Sequence, residues 1–136
     1  MSIRDRRART TGRQGLKIET FVMMPHILVH DSKYLNLSPV AHKTLNYLAS
    51  QCKKYNNGDL DICEKNARRR GFLMSGASMR RGAKELQKKG FIELTRQGGR
   101  NRNSLFALAW YDVEYDPSKH DYKFGKKTMR WRVENT

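Results

Sequence analysis

Acidic residues are scarce in this chain of 136 residues, in which 13 Asp and Glu stand against 28 Lys and Arg. Because the formal net charge is +15 at pH 7, a polyanion is the expected partner. Long hydrophobic runs are lacking too, since no apolar segment approaches the roughly 18 residues that a membrane-spanning helix needs. The basic segments also lack the broad apolar face of a helix that lies on a membrane surface, so we expect no membrane partner.

Cysteine is nearly absent, and the two residues present, Cys52 and Cys63, belong to no C-x-x-C pair and no His/Cys cluster. This spacing argues against a zinc finger and against a disulfide scaffold. We therefore expect both cysteines to be reduced and to pack as small hydrophobic side chains. The N-terminal segment is charged without an apolar stretch, so no secretory signal is expected. The predicted location is cytoplasmic, in association with the nucleoid.

Catalytic motifs are missing as well. No phosphate loop of the form G-x-x-x-x-G-K-[ST] occurs, so the chain is not expected to hydrolyse ATP. His26 and His30, with Asp31 next to them, have a spacing typical of metal ligands, but no further strong ligand lies beside them in the sequence. No histidine pair lies near a tyrosine in a pattern typical of strand nicking. We predict a protein that is not an enzyme, with no catalytic residue, metal, cofactor or small-molecule substrate.

Helix boundaries are the clearest local signals in the chain. Ser38-Pro39 predicts a helix start, because serine accepts a hydrogen bond from an orphan N–H and proline suits the first helical position. The helix is expected to run to about Tyr55. Its buried face is predicted to comprise Ala41, Leu45, Leu48 and Cys52. Residues 56–59 then predict a tight turn, and Leu60 is expected in the core or in a short strand.

Two further helices are predicted on either side of an apolar turn. Asp61 is expected to cap a helix from Ile62 to Arg70, which Gly71 ends after three arginines that suit a helix C-terminus. The apolar residues 72–74 follow as the turn. Such a pair of helices with a short connection is typical of a helix-turn-helix.

The second helix of this pair begins after Ser75, whose side chain is expected to cap it. It ends at Gly90, behind two lysines. Three apolar residues recur at helical spacing and predict the buried face, namely Met79, Ala83 and Leu86. The opposite face is then cationic and exposed.

A β-hairpin is predicted after the second helix. Residues 91–95 and 105–111 have strand-like patterns and flank a loop centred on Gly98-Gly99. We expect a flexible basic arm at residues 1–16, a winged-helix DNA-binding domain at 17–111 and a C-terminal extension at 112–136. Within the domain, a short strand or an extended entry is predicted at 17–24 and one or two helical turns at 25–37. The aromatic residues of the extension either pack along the domain surface or contribute to dimerisation.

With these elements in place, the chain resembles the winged-helix domains of plasmid and phage replication initiators and, more loosely, winged-helix transcription regulators. The segments that carry the resemblance are residues 37–45, 56–60, 83–92, 95–99 and 105–110. The resemblance implies an α+β, mainly α fold, a winged helix-turn-helix with a three-helix core and a C-terminal β-hairpin wing. It also implies sequence-specific binding of double-stranded DNA by a regulator of transcription or replication on a plasmid, phage or other mobile element.

Positive charge is concentrated in the predicted helix-turn-helix and wing. Between Ile62 and Asn103 there are twelve Lys or Arg against three acidic residues, a clustering that favours nucleic-acid binding over an ordinary solvated surface. On the recognition helix, the predicted DNA contacts are Ser75, Ala77, Ser78, Arg80, Arg81, Lys84 and Lys88. In the wing they are Arg96, Gln97, Arg100, Asn101, Arg102 and Asn103. Contacts to the DNA backbone are predicted for Arg68, Arg69, Arg70 and Lys89. The arm adds Arg4, Arg6, Arg7, Arg9 and Arg13.

Two other functions fit the same composition. A basic winged helix can rest on the shape of RNA, which would make this an RNA-binding or ribosome-associated protein. Alternatively, the winged helix docks a protein partner and the basic arm is incidental. A homodimer is an arrangement that this architecture allows, although no coiled-coil segment is visible in the sequence.

Overall fold

The computed structural model describes residues 22–53 and 55–132. The helices are α1 (His26–Val29), α2 (Ser32–Leu35), α3 (Pro39–Gln51), α4 (Glu64–Arg69) and α5 (Gly76–Lys89). The strands are β1 (Leu60–Asp61), β2 (Ile92–Arg96) and β3 (Leu105–Leu108), and a 3₁₀ helix follows at Arg130–Arg132. The fold is therefore α+β and mainly helical. Within the described ranges, no helix has the length and apolar character needed to cross a membrane. The predicted arm at residues 1–16 lies outside the described residues.

Helix α3 begins as predicted. The Oγ of Ser38 accepts a hydrogen bond from the backbone N–H of Ala41 at 3.1 Å, and Pro39 occupies the first turn. The helix ends at Gln51 rather than near Tyr55. The side chain of Asn56 donates to the carbonyl oxygen of Gln51 at 2.8 Å, so a side chain replaces the next helical hydrogen bond.

Helix α4 is shorter than predicted, and the expected Asp61 cap for a helix from residue 62 to 70 is wrong. Asp61 belongs to β1 and pairs with Leu105 of β3, which holds the backbone extended at this point. Its carboxylate accepts from the N–H of Cys63, the residue before the helix, which itself provides no side-chain cap. Because sheet pairing holds residue 61 extended, the helix begins only at Glu64. Gly71, with a φ of 81°, follows the helix end as predicted.

Helix α5 matches its predicted boundaries. The Oγ of Ser75 accepts from the N–H of Ser78 at 3.1 Å, and Gly90 ends the helix in the left-handed region at a φ of 88°. A side chain at Gly90 would also collide with backbone, because its Cβ would lie 2.6 Å from the nitrogen of Trp131. The predicted inner face of α5 is buried, namely Met79, Ala83 and Leu86.

The three strands form one antiparallel sheet in the order β1-β3-β2. Phe106 of β3 pairs with Leu60 of β1 on one side and with Leu94 of β2 on the other. The predicted hairpin of β2 and β3 is confirmed, with a register shift between Leu94 and Arg96. The intervening Thr95 turns its hydroxyl to the carbonyl oxygen of Gly58 at 2.6 Å, which joins the hairpin to the turn before β1.

Aromatic side chains from distant parts of the chain close the core. Trp131 is fully buried, and its ring stacks on Phe91 at a centroid distance of 5.7 Å and meets Trp110 edge-on at 6.3 Å. The backbone N–H of Trp131 donates to the carbonyl oxygen of Gly90 at 3.1 Å. The segment Arg130–Arg132 of the C-terminal extension therefore contributes Trp131 to the same hydrophobic core as the helices. The predicted domain boundary at Tyr111 stays a prediction.

Helices α3 and α5 cross at a point where no side chain fits on α5. A Cβ built on Gly82 would lie 2.3 Å from Oγ1 of Thr44 and 3.0 Å from the carbonyl oxygen of Val40. The Thr44 hydroxyl is fully buried at this crossing and donates to the same Val40 oxygen at 2.8 Å. The closeness of the two backbones therefore depends on glycine at position 82.

Replacing Gly82 with alanine should push the two helices apart and lower the free energy of unfolding by about 1–3 kcal/mol, the usual cost of overpacking. Gly99→Ala is a matched control, because a Cβ there meets nothing within 4 Å. We expect it to change stability by less than about 0.5 kcal/mol. The measurement is urea unfolding followed by circular dichroism. Equal stability of the two variants would contradict the tight crossing.

Candidate nucleic-acid interface

The outer face of α5 carries its cations into solvent. Among the predicted contacts, those that are exposed are Ser75, Ala77, Arg80, Arg81, Lys84 and Lys88, while Ser78 is half-buried. Arg81 donates to the Oγ of Ser78 at 3.1 Å. No carboxylate of the described residues forms a salt bridge with any of the four cations on this face. Their charges are therefore presented outward.

The start of α5 has its own local contacts. The hydroxyl of Ser75 donates to that of Ser78 at 2.9 Å in addition to capping the helix, so both serines are engaged in the first turn. A Cβ on Gly76 would lie 3.2 Å from Nη1 of Arg80 and 3.5 Å from Oε2 of Glu64. Arg80 thus folds back over the helix start towards α4, whereas Arg81 lies further round the outer face.

The predicted backbone contacts differ in how strongly the protein itself holds them. Arg70 donates to the hydroxyl of Tyr47 at 2.7 Å and lies 5.9 Å from the centre of its ring, so it fastens the end of α4 to α3. Burial raises the pKa of Tyr47, so the phenol stays neutral as the acceptor. Among the described side chains, Arg68 pairs with Glu64 at 3.3 Å, and both are exposed to solvent. Such a pair is weak and leaves Arg68 able to exchange partners.

The three arginines of the predicted wing, which is the loop between β2 and β3 together with its ends, are not equivalent. Arg96 donates through Nε and Nη2 to the carbonyl oxygen of Asn103, at 3.0 and 2.8 Å, and thereby closes the base of the loop. Arg102 forms a salt bridge with Asp121 at 2.8 Å. Within residues 22–53 and 55–132, neither a side-chain hydrogen bond nor a salt bridge holds Arg100. Arg100 lies beside Asn101, whose φ of 60° marks the tip.

Asp121 braces the wing from outside the hairpin. Besides pairing with Arg102, its carboxylate accepts from the N–H of Gln97 at 2.9 Å, and its own N–H donates to the carbonyl oxygen of Thr95 at 2.7 Å. The hydrogen bond from the Gln97 amide, together with the one from Arg102, lowers the pKa of Asp121. Nothing in the local sequence indicated this role, because the contact joins residues more than twenty positions apart.

Removing the Asp121 carboxylate should loosen the wing. In Asp121→Ala we expect faster hydrogen exchange at the Gln97 amide, since that N–H loses its acceptor. In the intact protein the contact should persist above about pH 3.9, the ordinary aspartate pKa, and disappear only as pH falls through the lowered pKa. Nuclear magnetic resonance of the backbone amide of Gln97 measures both effects.

Asp116→Ala is the matched control for this experiment. The Asp116 carboxylate also has a lowered pKa, but its hydrogen bonds go to Ser118 in its own turn. We expect this variant to leave the Gln97 amide unchanged. An Asp121→Ala protein with the exchange rate of Asp116→Ala would show that the carboxylate does not brace the wing.

Asn57 is a second residue that the sequence pattern did not mark as more than a turn former. Its buried side chain accepts from the N–H of Leu108 at 2.7 Å. The same amide donates to the carbonyl oxygens of Leu108, Tyr111 and Asp112 at 3.0–3.2 Å. These bonds end β3 at Leu108 instead of at Tyr111 as predicted, and they direct the chain away from the sheet.

An open groove runs between α2, the start of α3 and the outer face of α5, with a volume of about 810 Å³. We call it the basic groove. It is lined by Lys33, Asn36, Ser38, Arg81, Lys84, Glu85, Lys88 and Lys89. Five of these side chains are cations and one is a carboxylate. The groove therefore continues the charged face of α5 onto a second element.

The one carboxylate of the basic groove is already engaged. Glu85 accepts from the N–H of Ser38 at 2.9 Å and from its hydroxyl at 2.8 Å, and it lies 3.6 Å from Nζ of Lys89. Partial burial raises the pKa of Glu85, but the hydrogen bonds from Ser38 and the nearby Lys89 outweigh this effect and bring the pKa below its ordinary value. Glu85 thus stays ionised and ties α5 to the start of α3.

This lowered pKa predicts a pH effect on stability. The contribution of Glu85 should be complete above its unfolded pKa of about 4.3 and should be lost as pH falls through the lower folded value. In thermal melts, the difference in Tm between the wild type and Glu85→Gln should be largest near neutral pH and shrink below about pH 4. Glu64→Gln removes only an exposed pair and should show no such narrowing. A Tm difference for Glu85→Gln that is independent of pH would contradict the assignment.

Metal ligands do not converge in the part of the chain that the structure describes, where no three His, Cys, Asp or Glu side chains lie close enough to hold an ion. Cys52 and Cys63 are not joined by a disulfide. Comparisons with protein-family models, with curated proteins and with solved structures gave no significant match. The geometry of the interface is therefore the basis for the function proposed below.

Proposed function

We propose that this protein is a winged helix-turn-helix that binds double-stranded DNA and regulates transcription or replication of a plasmid, phage or other mobile element. The observation that carries the proposal is the outer face of α5. Its four cations, Arg80, Arg81, Lys84 and Lys88, are exposed and form no salt bridge with a carboxylate of the described residues. A helix that presents such a face suits the major groove of DNA.

The order of the elements supports the winged-helix part of the proposal. Helix α3 is followed by β1, then by α4 and α5 with a short connection, and then by the hairpin of β2 and β3. β1 lies beside β3 and completes the sheet. In this arrangement α4 and α5 are the helix-turn-helix, α5 is the recognition helix, and the loop between β2 and β3 is the wing.

The side chains divide into groups with different tasks. Arg81 lies in the N-terminal half of α5, where an arginine can pair bidentately with O6 and N7 of guanine. Lys84 and Lys88 lie one and two turns further along and suit phosphates. At the wing tip, Arg100 is the arginine best placed to enter a minor groove or to contact a phosphate. Arg68 and Arg69 at the end of α4 are exposed and suit the DNA backbone.

The two alternative functions receive less support from the same surface. The major groove of an A-form RNA duplex is deep and narrow and does not admit a helix, so a convex cationic helix favours DNA. The cores of protein–protein interfaces are depleted in charged residues, whereas the outer face of α5 is dominated by them. RNA binding and protein docking are therefore the outcomes that a negative DNA-binding result would favour.

Binding titrations test the proposal directly. If six to eight phosphates are neutralised, log K should fall with log salt concentration with a slope of about −5 to −7 on a random-sequence duplex. On a preferred site selected from a random pool, Arg81→Ala should lose about 1–3 kcal/mol and lose less on random DNA, since it removes a base contact. Lys88→Ala should weaken both DNAs alike, because it removes a phosphate contact.

Three results would contradict parts of this proposal. A slope near zero for the wild type would remove duplex DNA as the partner. Equal losses on the selected and the random duplex for Arg81→Ala would remove its base-reading role. Tighter binding to a duplex RNA of the same length than to the DNA would favour the RNA-binding alternative.

A further inference from the structure

We propose that the basic groove holds phosphates of one DNA strand, so that α2 and the start of α3 form a second wall of the DNA-binding surface. The inference rests on the proposed function and extends it to Lys33 and Asn36, which no pattern in the sequence indicated. It assigns these residues to contacts with the sugar–phosphate backbone and not to base reading.

The dimensions of helix and groove lead to this assignment. An α-helix with its side chains is about 10–12 Å across, close to the roughly 12 Å width of the DNA major groove. A recognition helix in that groove therefore has a phosphate backbone along each flank. One flank of α5 is the wall of the basic groove formed by Arg81, Lys84 and Lys88. The strand next to that flank would run between α5 and α2.

The opposite wall of the basic groove carries Lys33 and Asn36, and hydrogen bonds within the protein hold both side chains in place. Nζ of Lys33 donates to the carbonyl oxygen of Trp131 at 2.8 Å, which joins α2 to the buried C-terminal segment and positions this charge. The side chain of Asn36 donates to the carbonyl oxygen of Ser32 at 2.8 Å and remains exposed. A cation and an amide of this kind are common donors to phosphate oxygens.

The electrostatics of the groove favour an anion despite Glu85. This carboxylate receives two hydrogen bonds from Ser38 and lies 3.6 Å from Lys89, so its charge is compensated within the protein. Arg81, Lys84 and Lys88 form no salt bridge with a carboxylate of the described residues. The groove stays positive along its length, as a phosphate backbone requires.

The lining argues for an extended polyanion and against a small-molecule ligand. Pockets for small molecules are concave and mostly apolar, with a few convergent polar groups. The basic groove is open, and each side chain that lines it ends in a charged or polar group, although the long stems of the lysines and of Arg81 are apolar. Such a surface suits a chain of phosphates that enters at one end and leaves at the other.

Asn36→Asp tests the second wall by placing a negative charge in the groove. We expect affinity for a random-sequence 20-base-pair DNA duplex to fall roughly five-fold at about 0.15 M salt, the equivalent of one lost phosphate contact. Asn46→Asp is the matched control, because Asn46 is exposed on α3 and does not line the groove. It should bind like the wild type in fluorescence anisotropy titrations.

Lys33→Gln is the second variant and should reduce the magnitude of the salt slope by about 0.9, the value for one neutralised phosphate. Its matched control is Lys126→Gln, an exposed lysine outside the groove, which should leave the slope unchanged. Thermal melts of all four variants show which of them keep the wild-type fold. If only one of the two groove variants, Asn36→Asp or Lys33→Gln, keeps the wild-type fold, that variant decides the outcome.

Two results separate this inference from the function on which it rests. If both groove variants bind like their controls while Lys84→Ala weakens binding, the second wall is wrong and the proposed DNA-binding function stands. If the wild type shows no salt-dependent binding to the duplex, both proposals fail together. Reduced affinity in Asn36→Asp together with a smaller slope in Lys33→Gln would support the second wall.

Discussion

The close crossing of α3 and α5 at Gly82 is the constraint on which the rest of the structure depends. Glycine lets the α5 backbone approach the buried hydroxyl of Thr44, and this approach turns Met79 and Leu86 into the core. Because a helix has only one inner face, burying these residues points the cations of α5 into solvent. The packing of the core and the presentation of charge are therefore two results of the same contact.

Carboxylates in this protein serve mainly to organise its own elements. Glu93 is buried, and its Oε1 accepts a hydrogen bond from Nε of Arg130 at 3.0 Å, which fixes the C-terminal segment to β2. Glu85 joins α5 to α3, and Asp121 joins the turn before it to the wing. None of the described carboxylates forms a salt bridge with a cation on the outer face of α5. The excess of basic side chains therefore stays on the surface of α5, because these acids are used in contacts within the fold.

The sequence predicted those features that depend on neighbours along the chain. The Ser38 and Ser75 caps, the Gly90 helix end and the buried face of α5 all follow from residues within a few positions of one another. The features that it did not predict depend on distant partners. Asp61 pairs with a strand more than forty residues later and so cannot begin a helix. Trp131 packs in the core against Phe91, which lies far away in the sequence.

The same distinction applies to the candidate interface and explains why its cations are unequal. Composition alone makes every arginine of the wing equivalent, but Arg96 and Arg102 are held by acceptors at Asn103 and Asp121. Among the described wing residues, Arg100 is left to face a partner. In the proposed DNA complex, a wing with one such cation beside a helix with four would leave most of the affinity to α5. The wing would then orient the DNA more than hold it.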